Sequence, residues 1–187
     1  MQKYIFVVRF NQFQNRGSFT KDTGMTIQID INKWIHEVEI ILEKMQKLPD
    51  FPSGRTGGYL ALTETMSDNL ICLARAGKIV TGNDKAYEKY APEKSRRLHG
   101  MHHGKGHVSS YQSKDETLNM YAGGIVTELI IVSFSGLSPD LWDEVLCLIF
   151  AIERGWISLS QATSIAEIST NNFFLRYIAT FRFIRHS

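Results

Sequence analysis

Residues 122–154 read AGGIVTELIIVSFSGLSPDLWDEVLCLIFAIER, and this stretch predicts the unit around which the fold is built. Two glycines lead into the apolar run 125–134, whose valines and isoleucines are typical of a β-strand. Gly136 then ends the run. Ser138 is predicted to cap a new helix with its hydroxyl, and Pro139 suits the first turn because its missing N–H costs nothing there.

The helix predicted after this turn is apolar on most of its sides, so we expect it to be buried against the sheet that precedes it. Its apolar residues are Leu141, Trp142, Val145, Leu146, Leu148, Ile149, Phe150 and Ile152. Asp143 and Glu144 place negative charge at the positive end of the helix dipole. Because adjacent helix residues point about 100° apart, the two acids are interpreted as surface or capping charges and not as an acid–base pair.

The composition is that of an ordinary globular protein, with 187 residues, 43% apolar and 21% charged, which predicts one domain. A net charge of +2 is too small to argue for nucleic acid as a partner, and the basic segment 94–105 has no tyrosine, phenylalanine or tryptophan interleaved among its basic residues. No apolar run is long enough for a membrane span, and residues 4–8 are too short for a signal peptide. Cys72 and Cys147 lie in apolar runs and indicate buried thiols in a reducing compartment, so a cytoplasmic location is expected.

The rest of the chain alternates between strand and helix patterns. Strands are predicted at 4–10, 25–31, 59–62, 70–74 and 107–112, with a loop or a mobile hairpin tip at 11–24 and a turn at 63–69. Helices are predicted from a cap at Asn32 to residue 48, from Pro92 to residue 99, at 161–168 and within 171–187. Both cysteines are expected to serve core packing. This order predicts an α+β fold.

Three local patterns in this order resemble one family. They are the hairpin YLALTETMSDNLICLARAG at 59–77, the helix residues Lys94-Ser95-Arg96-Arg97, and Gly123-Gly124-Ile125 followed by Ser135-Gly136 and Asp143-Glu144. The layout resembles the haem-binding/GlcG-like family over residues 25–155. The chain departs from the family pattern at Ser95, where the family has alanine, and by one extra residue before Asp143.

The resemblance implies a profilin-like fold, in which helices pack around an antiparallel sheet. It divides the chain into an N-terminal strand and loop extension (1–24), the α+β domain (25–155) and a C-terminal helical extension (156–187). It also implies homo-oligomers and the binding of haem or another tetrapyrrole. The matching positions Gly123, Gly124, Ser135 and Gly136 are therefore candidate ligand-binding residues, with a purely structural role in turns as the alternative.

Four of the six histidines fall in LHGMHHGKGH, residues 98–107. They are His99, His102, His103 and His107, and imidazoles bind transition metals and haem iron. The three glycines in this segment argue against a continuous helix. The alternatives are a flexible loop with solvated histidines and a loop that holds a metal ion or haem.

Basic residues precede the histidines. Lys94, Arg96 and Arg97 are candidates for holding an anion such as a haem propionate, a phosphate or a carboxylate. The alternative is a solvated helix face. Ser135 and Ser138 are interpreted as turn and cap residues because no serine–histidine–aspartate order surrounds them. No catalytic residue is assigned.

The aromatic and basic end of the chain, 171–187, is expected to dock on the protein's own core or on a second subunit, with a membrane surface as the alternative. These observations predict a small-ligand-binding protein for haem or a related tetrapyrrole, without clear catalytic machinery. One alternative is a metal-dependent enzyme that uses the histidines. Another is a homo-oligomeric, partner-binding scaffold.

Overall fold

The computed structural model describes residues 16–20, 26–79 and 82–181, with side chains from residue 30 onward. Within these ranges the protein has an α+β fold with five helices, a four-stranded antiparallel sheet and a separate two-stranded ribbon. The strands are Arg16–Thr20 (β1), Thr26–Asp30 (β2), Thr56–Glu64 (β3), Leu70–Lys78 (β4), Gly124–Val126 (β5) and Ile130–Ser135 (β6). The helices are Ile31–Met45 (α1), Asp84–Lys105 (α2), Leu141–Glu153 (α3), Leu159–Ile168 (α4) and Asn172–Thr180 (α5).

The main sheet has the order β4-β3-β6-β5 and is covered by helices on both faces. Side chains of a strand point alternately to the two faces. Leu60 and Leu62 of β3 accordingly lie in the large core with α1 and α3, whereas Tyr59 and Ala61 pack with Ala91 of α2 on the opposite face. Burial on both faces explains why the strands are nearly continuous apolar runs in the sequence.

The N-terminal part differs from its prediction in two places. The segment 11–24, predicted as a loop or a hairpin tip, contains β1, which pairs with β2 in antiparallel register. The strand predicted at 4–10 lies outside the described residues. Helix α1 is capped by Asp30, whose carboxylate accepts from the Lys33 N–H at 3.2 Å, so the predicted cap at Asn32 was wrong by two residues. Asp30 ends a strand and still has the extended backbone that an N-cap requires.

Helix α2 is far longer than predicted, because it begins at Asp84 and continues through Pro92, Gly100 and Gly104 to Lys105. A glycine inside a helix costs only about 1 kcal/mol, and the buried side chains of this helix pack on the sheet. The helix ends where Gly106 adopts φ = +71°. The strand predicted at 107–112 does not form, because Ser110–Ser113 is a 3-10 turn. Ser109, just before this turn, makes an isolated antiparallel bridge to Ile125.

The segment 122–154 forms the predicted strand–helix unit with three corrections. The apolar run is divided into β5 and β6 by a turn in which the Thr127 hydroxyl donates to the Ile130 carbonyl at 2.7 Å. Ser138 does not cap α3, which begins after Asp140 and follows a cis Ser138–Pro139 bond. Asp143 and Glu144 are 2% and 0% exposed, so their interpretation as surface charges was wrong.

Helices α4 and α5 pack against α3, which confirms docking of the C-terminal segment on the protein's own core as far as residue 181. Phe174 and Tyr177 are buried, and Phe173 stacks on Trp142 at 4.4 Å between ring centroids. The predicted burial of Cys72 and Cys147 is also confirmed. In the described ranges no helix is long and apolar enough to cross a membrane.

Candidate functional site

A cavity of about 480 Å³ lies between the N-terminal half of α2 and the turn that joins β6 to α3. Residues of four chain segments line it: Arg55 ahead of β3, one face of α2, the segment that leads to β5, and the β6–α3 turn. The lining residues are Arg55, Asn83, Ala86, Tyr87, Tyr90, Lys94, Lys114, Glu116, Tyr121, Ser135, Gly136, Leu137, Ser138, Pro139, Asp140 and Asp143.

An ion pair between Lys94 and Asp143 forms the deepest part of this lining. The Lys94 Nζ lies 2.7 Å from the Asp143 Oδ2 and also donates to the Phe134 carbonyl at 2.8 Å. The other carboxylate oxygen of Asp143 accepts from the Leu137 N–H at 2.9 Å. Burial raises the pKa of Asp143 to about 6, against the opposing effect of the Lys94 charge. The pair neutralises itself, so it contributes no net charge to the cavity.

Two glycines are required by this arrangement. Gly123 has φ = +109°, and a Cβ atom there would overlap the Asp143 Cβ and lie 2.9 Å from the Lys94 Nζ. A Cβ atom on Gly136 would come within 2.5 Å of the Gly58 Cα on the neighbouring strand. Both positions therefore exclude a side chain for steric reasons, and Gly123 makes the space in which the ion pair forms.

A second ion pair ties the segment ahead of β5 to the start of α3. The Lys114 Nζ donates to the Asp140 Oδ1 at 3.1 Å and to the Glu116 Oε1 at 2.9 Å, and the Ala122 N–H donates to the Asp140 Oδ2 at 2.8 Å. Burial alone would lower the pKa of Lys114, but its hydrogen bonds to the Glu116 and Asp140 carboxylates, together with their negative charges, raise the pKa. Lys114 is therefore held as a cation, and its charge is compensated.

Arg55 differs from the two lysines because it has no carboxylate partner in the part of the chain that the structure describes. Its Nη1 donates to the Tyr87 hydroxyl, which is the one side-chain hydrogen bond that the described residues give it. Tyr87 packs in turn against the cluster around Tyr59 and Ala61 and so holds the guanidinium at the cavity. The nearby rings of Tyr90 and Tyr121 meet edge to face, with centroids 5.3 Å apart.

The residues predicted as ligand-binding have different positions. Lys94, Ser135 and Gly136 line the cavity, Gly123 supports the ion pair, and the Gly124 N–H donates to the Ser110 hydroxyl at 2.9 Å. The structure thus brings Lys94 and the Ser135-Gly136 turn together.

Arg96 and Arg97 lie outside the lining. Arg96 is exposed on α2. Arg97 donates to the carbonyls of Ser110, Ser113 and Tyr121 at 2.7–3.1 Å and to the Glu93 carboxylate at 2.8 Å. Since all three of its nitrogens are engaged, Arg97 positions the segment that precedes β5 and is not available to an anion.

The four histidines lie on the last turns of α2 and just beyond it, and none of them lines the cavity. His103 contacts both neighbours, with ring centroids 4.6 Å from His99 and 5.4 Å from His102. His102 Nδ1 bonds with the His107 carbonyl at 2.8 Å, and His103 Nε2 bonds with the Thr65 carbonyl at 2.7 Å. Among the described residues, no group of three or more His, Cys, Asp or Glu side chains is placed to hold a metal ion.

Haem coordinated by these histidines does not fit the cavity. The described lining contains no histidine, cysteine or methionine. Among its side chains, only the three tyrosines, Tyr87, Tyr90 and Tyr121, are of a type that can ligate haem iron. Two buried ring nitrogens have no hydrogen-bond partner, Nε2 of His99 and Nδ1 of His107, and both belong to side chains outside the lining. The histidines and the cavity are therefore separate features of the molecule.

A second buried polar network surrounds Glu144. Its carboxylate accepts from the hydroxyls of Ser109 and Ser169 and from the Asn171 Nδ2 at 3.0 Å. Burial raises the pKa of Glu144, although these donors act in the opposite direction. Ser169 ends α4 and Asn171 caps α5, so this network connects both C-terminal helices to α3. It lies apart from the cavity lining.

The sequence prediction missed most of the residues that shape the cavity: Arg55, Tyr87, Tyr90, Tyr121 and Asp140. A signal existed for two of them, because Tyr87, Tyr90 and Lys94 have the i, i+3, i+7 spacing of one helix face. Arg55 and Tyr121 lie in loops far apart in the sequence, and no pattern joins them. A comparison of the chain with protein-family models, curated proteins and solved structures found no match.

Proposed function

We propose that the protein binds a small organic anion in the cavity between α2 and the β6–α3 turn. The observation that carries the proposal is Arg55, a guanidinium that lines the cavity without a carboxylate partner among the described residues. A planar guanidinium with free N–H groups is well suited to a carboxylate or a phosphate. The cavity volume of about 480 Å³ also lies within the range of about 300–1,000 Å³ that is usual for small-molecule sites.

The charges around Arg55 support an anionic ligand. Lys94 is neutralised by Asp143, and Lys114 is neutralised by Asp140. The remaining lining acid, Glu116, has a side chain that is 70% exposed, so water screens its charge. Arg55 is thus the lining cation that has no carboxylate partner among the described residues.

The cavity supports binding better than catalysis. Ser135 lines it, but within the described residues no base is hydrogen-bonded to the Ser135 hydroxyl to activate it as a nucleophile. The Lys94–Asp143 pair is tied to the backbone at Phe134 and Leu137, and the Lys114 ammonium is shared between Asp140 and Glu116. We therefore propose a ligand-binding role for this site.

The test is a binding titration with a set of small anions, acetate, benzoate, succinate and inorganic phosphate, followed by calorimetry or by NMR shifts. Ala86→Trp fills the cavity from α2, and Lys85→Trp places the same side chain on the exposed adjacent position as a control. We expect saturable binding in the wild type and in Lys85→Trp that is lost in Ala86→Trp. Binding that Ala86→Trp leaves unchanged, or no binding of any anion, would reject the proposal.

Haem binding stays a prediction that rests on the resemblance, and haemin can be titrated beside these anions. A saturable Soret shift that is lost in Arg55→Met would support a tetrapyrrole in the cavity. A shift that is lost only when His99, His102, His103 and His107 are all changed to Ala would place haem at the end of α2. No saturable shift would end the haem prediction.

Self-association and a cytoplasmic location also stay predictions. Ile168 of α4 and Leu175 of α5 are 47% and 41% exposed, and the two helices contact each other. We propose the exposed surface of this helix pair as the contact between subunits, and light scattering of Leu175→Asp beside the wild type tests it. A wild type that is monomeric at all concentrations would reject the homo-oligomer.

A further inference from the structure

We propose that the ligand is an aromatic monocarboxylate, whose carboxylate pairs with Arg55 and whose ring system packs among Tyr87, Tyr90 and Tyr121. This inference rests on the proposed function and specifies the class of its ligand. It follows from the combination of one uncompensated cation with three tyrosines in a single cavity.

The charge of the ligand follows from the ion pairs. Each lysine of the lining already has an aspartate within 3.1 Å, so a ligand gains a new partner for one negative charge only. A second negative group would lie in the same cavity as Asp140, Asp143 and Glu116 without a free cation beside it. Like charges that meet without compensation are repelled, so a dianion is disfavoured.

The chemical form of the anion follows from Arg55. A guanidinium has five N–H donors in a planar fork, and the Tyr87 hydroxyl accepts from the Nη1 nitrogen. The remaining donors match the two oxygens of a carboxylate. Because Tyr87 holds the guanidinium from one side, the fork is oriented before a ligand arrives, and less conformational entropy is lost on binding.

The flat body of the ligand follows from the tyrosines. Tyr87 and Tyr90 come from α2 and Tyr121 from the segment ahead of β5, so aromatic rings approach the cavity from two elements. Aromatic pairs gain about 0.5–1.5 kcal/mol beyond their buried area. A volume of about 480 Å³ has room for two fused rings.

The test is calorimetric titration with four probes. They are 2-naphthoate, its neutral isostere 2-naphthamide, the dianion 2,6-naphthalenedicarboxylate and the flexible monoanion octanoate. We expect 2-naphthoate to bind at least tenfold more tightly than each of the others. Arg55→Met should weaken 2-naphthoate at least tenfold while leaving 2-naphthamide unchanged, and Arg55→Lys should fall between. Arg96→Met removes an exposed charge from α2 and should bind like the wild type.

Three outcomes would overturn this inference without affecting the proposed function. If 2-naphthamide or the dianion bound as tightly as 2-naphthoate, or if octanoate did so, the ligand class would be wrong. Binding of acetate or phosphate that Ala86→Trp abolishes would still support an anion site. If no probe and no small anion bound, the proposed function itself would fail. Circular dichroism of Arg55→Met and the partial binding of 2-naphthoate by Arg55→Lys distinguish lost binding from lost folding.

Discussion

The Lys94 Nζ lies 2.7 Å from the Asp143 Oδ2, and both side chains are at most 2% exposed. This pair joins the middle of α2 to the first turn of α3, two helices that lie on opposite faces of the sheet. Each partner also bonds to the backbone, Lys94 to the Phe134 carbonyl and Asp143 to the Leu137 N–H. The pair thus determines the path of the β6–α3 turn along one side of the cavity.

Asp143→Asn is the first change that we expect to be costly. It leaves the ammonium of Lys94 buried without an anion, and removal of one partner of a buried pair typically costs about 3–5 kcal/mol. Lys94→Met should cost less, because the remaining Asp143 carboxyl has a pKa already raised to about 6 and takes up a proton more easily. The free energy of unfolding from urea titrations at pH 7.5 measures both.

The double variant Lys94→Met/Asp143→Leu separates pairing from packing. It removes both charges, so we expect it to be more stable than Asp143→Asn, since apolar replacements of buried ion pairs are often tolerated. Lys89→Met on the exposed side of α2 serves as the control. A double variant that is less stable than Asp143→Asn would show that the pair contributes through something other than charge compensation.

Gly123→Ala and Gly100→Ala should have opposite effects. At Gly123 a Cβ atom meets the Asp143 side chain and the backbone has φ = +109°, so we expect a marked loss of stability. At Gly100, within α2, a Cβ atom has nothing within 4 Å, so alanine should stabilise the helix by about 0.5–1 kcal/mol. Thermal unfolding of the two variants compares them directly, and a neutral Gly123→Ala would contradict the close approach to Asp143.

The sequence predicted the structure well where a residue's position depends on its near neighbours in the chain. The periodicity of 122–154 predicted a strand followed by a buried helix, and the hairpin 59–77 was predicted with its turn, because apolar spacing reports burial directly. It failed at Asp143 and Glu144, since the side chains that compensate these acids, Lys94, Ser109 and Asn171, lie 27–49 residues away in the chain. Pairings of this kind leave no local pattern.

The histidine segment shows the limit of counting glycines. Gly100 and Gly104 suggested a break, but α2 continues because its other residues favour helix and its buried face packs against the sheet. Three of the histidines therefore come to lie on the last turns of one helix, where positive charge is favoured by the helix dipole. Of the cavity, only the side formed by α2 could be predicted, from the helical spacing of Tyr87, Tyr90 and Lys94. The other lining residues come from loops far apart in the sequence.

The change of all four histidines to alanine tests the metal hypothesis. Because the described residues contain no group placed to hold a metal ion, we expect the wild type and the variant to retain the same, substoichiometric zinc, copper and nickel after dialysis. Metal content by mass spectrometry is the measurement. Stoichiometric metal in the wild type that the variant loses would support the alternative of a metal-dependent protein.

The C-terminal helices should contribute substantially to stability. Phe174 is fully buried between α5 and α3, so Phe174→Ala should cost about 3–5 kcal/mol through lost contacts and the cavity left behind. Thr180, on the same helix, is exposed, and Thr180→Ala should be nearly neutral. Urea unfolding compares the two, and equal effects would contradict the packing of α5 on the core.

Glu144→Gln should change how stability depends on pH. Burial raises the pKa of Glu144 above its ordinary value of 4.5, so the folded protein binds this proton more tightly than the unfolded chain does. The contribution of Glu144 to the free energy of unfolding is therefore full below about pH 4.5 and declines as the pH rises through the folded pKa. Glutamine carries no titrating proton, and its carbonyl can still accept from Ser109 or Ser169.

We therefore expect the stability of Glu144→Gln relative to the wild type to increase between pH 4.5 and pH 7.5. Urea titrations at several pH values within this window measure the difference. The raised pKa of Asp143 acts in both proteins and cancels in the comparison. Glu167→Gln on the exposed side of α4 is the matched control and should give a difference that is constant with pH. A relative stability of Glu144→Gln that falls with rising pH would mean that the donors from Ser109, Ser169 and Asn171 outweigh burial and lower the pKa of this carboxyl.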